Sequence, residues 1–235
     1  MRDSSLVPLN LVELAETIIT CRRCPRLVDW REQVARDRRA AYRDQSYWGK
    51  PVPGFGDPLA RILVVGLAPG AHGANRTGRV FTGDRSGDWL YGSLHRAGLA
   101  NQANSTHIDD GLTLNGVYVA ACVRCVPPGN KPTPAERDTC LPFLAQEIAL
   151  LTEVRVIVCL GAFAWDGVGR VPGLRQVDDP KGKFGHLAES RMGRFIRLGS
   201  YHPSQQNTFT GRLTESMQDD VWRRAIVLAE MGELG

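Results

Sequence analysis

RILVVGL at residues 61–67 runs directly into APGAHG at 68–73. The first stretch is apolar nearly throughout, has no helical period and suits a strand buried on both faces. The second is built of small residues and suits a loop whose backbone approaches a ligand. The same succession recurs three times. VYVAACV at 117–123 precedes RCVPPGNKPTP, VRVIVCL at 154–160 precedes GAFAW, and RFIRL at 194–198 precedes GSYHPSQQNT. Amphipathic stretches alternate with these runs. One spans about 88–99. Another opens at Thr133, an N-cap followed by Pro134 and a capping-box Glu136, and continues to about residue 151. A short helix is expected near Phe163 and a last one over 214–231. Strands alternating with helices predict an α/β fold with a central, mainly parallel four-stranded sheet covered on both faces. Ligands of such sheets bind at the carboxyl ends of the strands, so the four loops are expected to meet at one site.

The chain has 235 residues, of which 43% are apolar and 23% charged, an ordinary globular composition and a length suited to one domain over 1–235. No apolar run approaches the roughly 20 residues of a membrane span. The first residues, MRDSSLVPLN, lack a basic segment followed by an apolar core, so a cytoplasmic location is expected. No G-x-G-x-x-G follows a strand and no G-K-[ST] is present, which leaves nucleotide cofactors without support. The net charge is +4, and residues 22–43 hold eight arginines against Asp29, Glu32 and Asp37. Such a segment either contacts phosphate or is a solvated helix face.

Six cysteines are present. Cys159, in the middle of a strand, reads as a core residue. Cys21 and Cys24 form a C-R-R-C knuckle. Two partners for it remain open. Cys122 with Cys125 would complete a CxxC…CxxC set suited to tetrahedral zinc. Cys125 with Cys140 would pair a loop residue with one two turns into the capped helix, an arrangement able to embrace a [4Fe–4S] cube.

The stretches CRRCP and CVPPGNKPTPAERDTC resemble the iron–sulfur uracil-DNA glycosylases. GLAPGAHGANRTGRVFTGDRSG and SYHPSQQNTFTGRLT resemble the family 5 branch of these enzymes, and the likeness extends from about Cys21 to Met231. The resemblance implies a three-layer α/β/α glycosylase fold. It implies a [4Fe–4S] cluster held by Cys21, Cys24, Cys125 and Cys140, with Cys122 a strand residue. It further implies a monofunctional base-excision-repair enzyme, acting as a monomer on DNA that contains uracil, hypoxanthine or other deaminated bases. The enzyme would hydrolyse the N-glycosidic bond and leave an abasic site.

That chemistry needs a flipped base, a surface to stack it on, groups that read its edge, a donor for the departing anion and a means of placing water. By resemblance, Phe81 stacks on the base and Asn130 reads its edge. His202 donates to the charge-gathering oxygen, and Gly66, Leu67 and Ala68 line the pocket. That first loop carries no carboxylate where better-known uracil glycosylases have an acid, and by resemblance Asp84, the nearest acid, substitutes for it in orienting water. Asp88 is a weaker candidate because an acid at a helix start is commonly a cap. Gln205, Gln206 and Arg212 are candidates for filling the gap left by the flipped base, and His72 has no assigned role. Two other readings are a family 4-like glycosylase restricted to uracil and a non-catalytic, zinc-containing nucleic-acid-binding module.

Overall fold

A computed structural model describes residues 10–176 and 182–231. Its centre is a six-stranded sheet. The strands are β1 (Phe55–Gly56), β2 (Ile62–Gly66), β3 (Val117–Ala121), β4 (Val156–Leu160), β5 (Glu189–Met192) and β6 (Phe195–Ser200), in the order β1-β3-β2-β4-β6-β5. The inner four, β3-β2-β4-β6, are parallel neighbours, as the apolar runs predict. Two short strands add antiparallel edges, β1 on β3 and β5 on β6. Neither has an apolar run to announce it: β1 is two residues long, and β5 reads ESRM with alternate residues exposed.

The helices are α1 (Leu11–Ile19), α2 (Pro25–Asp37), α3 (Ala74–Thr77), α4 (Arg85–Arg96), α5 (Pro134–Leu150), α6 (Ala162–Val168), α7 (Gln205–Phe209) and α8 (Glu215–Met231). Alternate strand residues enter two different cores. Ile62, Val64, Val156 and Val158 meet Leu90 and Leu94 of α4 and Val221 and Trp222 of α8. Leu63, Val65, Ile157 and Cys159 meet Leu141 and Leu144 of α5 and Ala164 and Trp165 of α6. The result is the three-layer α/β/α arrangement. A buried bond from Trp222 Nε1 to Ser93 Oγ, 2.7 Å, ties α8 to α4.

Thr133 caps α5 through the expected capping box with Glu136. At α4 the expectation is off by one turn. The helix begins at Arg85, its N-cap is Asp84, and Asp88 lies within the first turn. Cys122 lies one residue beyond β3 rather than inside a strand, although its N–H still reaches Gly66 O at 3.0 Å. Among the described residues no helix is long and apolar enough to cross a membrane.

Candidate active site

A cleft of about 780 Å³ opens at the carboxyl ends of the parallel strands. Loop 67–73 after β2, Gly129 and Asn130 after β3, and His202 to Gln206 after β6 contribute to its walls, joined by residues 80–86. The loop after β4 does not reach it. Gly161 lies behind His202, where an added methyl would stand 3.4 Å from the His202 Cβ. Three of the four expected loops therefore converge.

Phe81 is held in an unusual conformation, with φ of +51°. This left-handed region costs a non-glycine residue about 1–2 kcal/mol, so the surroundings must enforce it. Gly66 lies against the Phe81 ring, and a Cβ there would come within 2.7 Å of Cε2 and Cζ. Gly87 lies against the Phe81 carbonyl, which a Cβ would overlap. Gly66 thus backs the aromatic wall and is not itself a lining residue.

Asp84 follows at once. Its carboxylate accepts from Gly87 N at 3.1 Å, capping α4, and reaches across to the first loop. A Cβ on Gly70 would lie 2.8 Å from Asp84 Oδ2, and one on Gly73 would overlap it. A carboxylate therefore occupies the first loop even though that loop contributes none. Burial raises the Asp84 pKa, opposed by the Gly87 and Ser86 amides. Arg76 braces the arrangement by donating to His72 O at 2.7 Å and Gly83 O at 2.7 Å.

His202 packs on Phe81 with ring centroids 5.9 Å apart. Asn207 Nδ2 holds its carbonyl at 2.9 Å. Neither ring nitrogen is engaged among the described residues. Burial alone lowers its pKa to about 4, so at neutral pH it is an uncharged N–H donor. Asn130 takes φ of +56° directly after Gly129 at +58°, a turn that glycine and asparagine tolerate best. Its side-chain amide makes no hydrogen bond among the described residues and is exposed at the cleft mouth.

Leu67, Ala68, Gln205 and Gln206 also line the cleft, whereas Arg212 does not. The Arg212 guanidinium lies over the Tyr201 ring at 4.7 Å. His72 lines the cleft, as its place in the first loop suggests, and Arg39, Tyr42 and Arg85 line it without having been singled out from the sequence, except that Arg39 belongs to the arginine-rich segment. That segment divides. Arg26 pairs bidentately with Glu136 at 2.7 and 2.8 Å. Arg31 is buried, Arg22 pairs with Glu32, and Arg23 lies over the Phe143 ring. Part of the segment is therefore committed to holding the fold, through Arg22, Arg23, Arg26 and Arg31.

Cys21, Cys24, Cys125 and Cys140 line one small apolar hollow between α2, the β3–α5 connection and α5. Cys122 is absent from it, buried instead against Gly167 of α6. Among the described residues no three His, Cys, Asp or Glu side chains converge closely enough to hold a single metal ion. The hollow is nonetheless suited to thiolates. Arg31 donates to Cys125 Sγ at 3.1 Å and to Cys21 O at 3.2 Å, and Arg124 N donates to Cys140 Sγ at 3.3 Å. Burial pushes Cys125 up to about 11 and Cys140 up to about 12, against the opposing pull of Arg31 on the first and Arg124 on the second.

The family model of the uracil DNA glycosylase superfamily matches residues 53–226. The chain belongs to the uracil-DNA glycosylase superfamily. It is 56% identical to a type-5 uracil-DNA glycosylase of Mycobacterium leprae, over 94% of this chain and 96% of that protein. It is 53% identical to one of Thermus thermophilus, over 91% and 96%. A type-4 uracil-DNA glycosylase of Pyrobaculum aerophilum is 29% identical over 83% of this chain and 84% of its own length. Membership of the type-5 branch agrees with a first loop lacking its own acid.

Within this superfamily member, the neutrality of His202 is directly measurable. Its imidazole should titrate near 4 in side-chain NMR of the native protein. A midpoint near the ordinary 6.5 would contradict the desolvated site.

Proposed function

We propose that the protein flips uracil out of DNA and hydrolyses its N-glycosidic bond, leaving an abasic site for base excision repair, and that hypoxanthine and other deaminated bases are also substrates. The observation that carries this reading is the cleft itself. An aromatic face, an edge-reading amide, a neutral histidine and a carboxylate, drawn from separate loops, line one cavity.

The flipped base stacks on Phe81, and Asn130 reads its edge with both donor and acceptor. Negative charge gathers on the base as the bond breaks. His202, uncharged and desolvated, donates an N–H to the oxygen that receives it, without first having to lose a proton. Asp84 orients water toward the sugar carbon. Fixed by the Gly87 amide and by its seat on Gly70 and Gly73, it acts by direction and field. Ala68 and Ala71 put only short side chains on the cleft wall and leave room for bases larger than uracil, which is the support for a broad range. The exposed arginines of 22–43 supply phosphate contacts.

The four cysteines around the hollow would hold a [4Fe–4S] cluster, Cys21 and Cys24 from before α2, Cys125 from the β3–α5 connection and Cys140 from α5. When bound, the cluster contributes no step to the hydrolysis and serves to anchor the N-terminal helices. Cys125→Ser and Cys140→Ser are each expected to lose iron while Cys122→Ser retains it. A colourless Cys122→Ser protein beside a brown Cys140→Ser protein would reverse the ligand assignment.

Single-turnover excision tests the division of labour. Asp84→Ala and His202→Ala should each slow release of uracil and hypoxanthine alike, by ~10²-fold or more. Asn130→Ala should instead change the ratio of the two, because a bond matched to one edge is lost unequally. An Asn130→Ala protein that slows both equally would remove Asn130 from base reading.

A further inference from the structure

His72 lies on the loop between Ala71 and Gly73, beside the seat of the Asp84 carboxylate, and lines the cleft. Its surroundings fix its chemistry. Tyr47 Oη accepts the backbone N–H of Arg39 at 3.3 Å and lies 3.0 Å from His72 Nδ1. The hydroxyl keeps its own hydrogen free after accepting from Arg39, and when it donates that hydrogen to Nδ1, Nδ1 is the acceptor. In that arrangement the neutral ring carries its proton on Nε2. That nitrogen has no partner among the described residues.

The local field is positive. Arg39 lines the same wall, and its guanidinium has no hydrogen bond or ion pair among the described residues. Arg76 lies under the loop with each guanidinium nitrogen engaged, by His72 O, Gln45 Oε1 and Gly83 O, and its Cζ 4.0 Å from the centroid of the Tyr42 ring. Desolvation, Arg39 and Arg76 together lower the His72 pKa, so the ring stays neutral and keeps its donor. A fixed neutral donor between an uncommitted cation and a committed one suits an anion better than a base edge. The anion that accompanies every flipped nucleotide is the phosphodiester on either side of it.

We propose that His72 and Arg39 form a phosphate subsite for the strand carrying the flipped nucleotide, with His72 donating from Nε2 and Tyr47 fixing its tautomer. The proposal rests on the glycosylase reading above.

The test uses the full-length protein loaded as isolated and duplex DNA in which a neutral methylphosphonate replaces the phosphate immediately 5′ or 3′ to the uridine. Single-turnover uracil excision is measured for the native protein and for His72→Ala, His72→Gln and Tyr47→Phe. At one of the two positions the native protein should slow by about 10- to 100-fold, the range for a hydrogen bond to a charged group. His72→Ala should slow on ordinary DNA by a similar factor and lose little more on the methylphosphonate. His72→Gln, which keeps a donor, should recover part of the loss, and Tyr47→Phe should show a smaller loss that is likewise absent on the modified strand. If the His72→Ala and methylphosphonate penalties multiply independently at both positions, the proposal is overturned. It is equally overturned if the native protein ignores the substitution at both, an outcome that needs no variant to fold. A His72→Ala protein that alters the ratio of uracil to hypoxanthine excision would place His72 on the base instead. Failure of the native protein to excise uracil from unmodified DNA would refute the glycosylase reading itself.

Discussion

The seat of the Asp84 carboxylate on Gly70 and Gly73 is the constraint around which the rest of the site is arranged. A carboxylate oxygen there leaves no space for a side chain on either residue. The same carboxylate caps α4, and α4 is anchored in the core by Leu90, Leu94 and the Ser93–Trp222 bond. The segment leading into the cap must turn sharply, and Phe81 takes the left-handed conformation that this turn imposes. Gly66 and Gly87 accept its ring and its carbonyl. One polar contact thus sets the position of the proposed water-directing group, the stacking face and the small-residue loop together.

The cysteine hollow is not isolated from this arrangement. Arg31 of α2 donates to Cys125 Sγ, and its carbonyl accepts from the buried Asn75 Nδ2 at 3.3 Å. The Asn75 N–H in turn donates to Gly70 O at 3.0 Å. A continuous chain of hydrogen bonds therefore runs from the sulfur wall to the loop that seats Asp84. A second buried group stiffens the opposite side. Arg124, adjacent to Cys125, pairs with Glu147 of α5 through both oxygens, and Glu147 also accepts from Gly54 N. A charge buried to this degree tolerates no loss of its partner. These contacts give the proposed cluster a structural task that does not require it to touch substrate.

The four parallel strands were legible because burial on both faces leaves an uninterrupted apolar run, and α5 was legible because Thr133, Pro134 and Glu136 mark its start. The edge strands were not, being short or half-exposed. The start of α4 lies one turn before its expected position because Asp84, the proposed site acid, is also its cap, while Asp88 carries the ordinary sequence mark of one. Spacing leaves Cys122 and Cys140 as alternatives, and in the structure Cys140 lines the hollow while Cys122 turns toward α6. The sequence held no sign that Gly161 would fall behind His202, that Arg212 would turn onto Tyr201, or that Tyr47 would reach His72. Each depends on how distant loops pack. Residues 177–181, between α6 and β5, lie outside the described structure, and no site residue was expected there.

The central claim is that Asp84 works because the first loop leaves it a seat. Gly73→Ala tests this without altering any proposed site residue. The added methyl would overlap Asp84 Oδ2 and must displace the carboxylate. Misplacement of a reacting group by about 1 Å costs on the order of 10²-fold in rate. Single-turnover uracil excision by Gly73→Ala, with thermal unfolding and iron content matching the native protein, should fall by that order. A folded Gly73→Ala protein that excises uracil at the native rate would contradict the account.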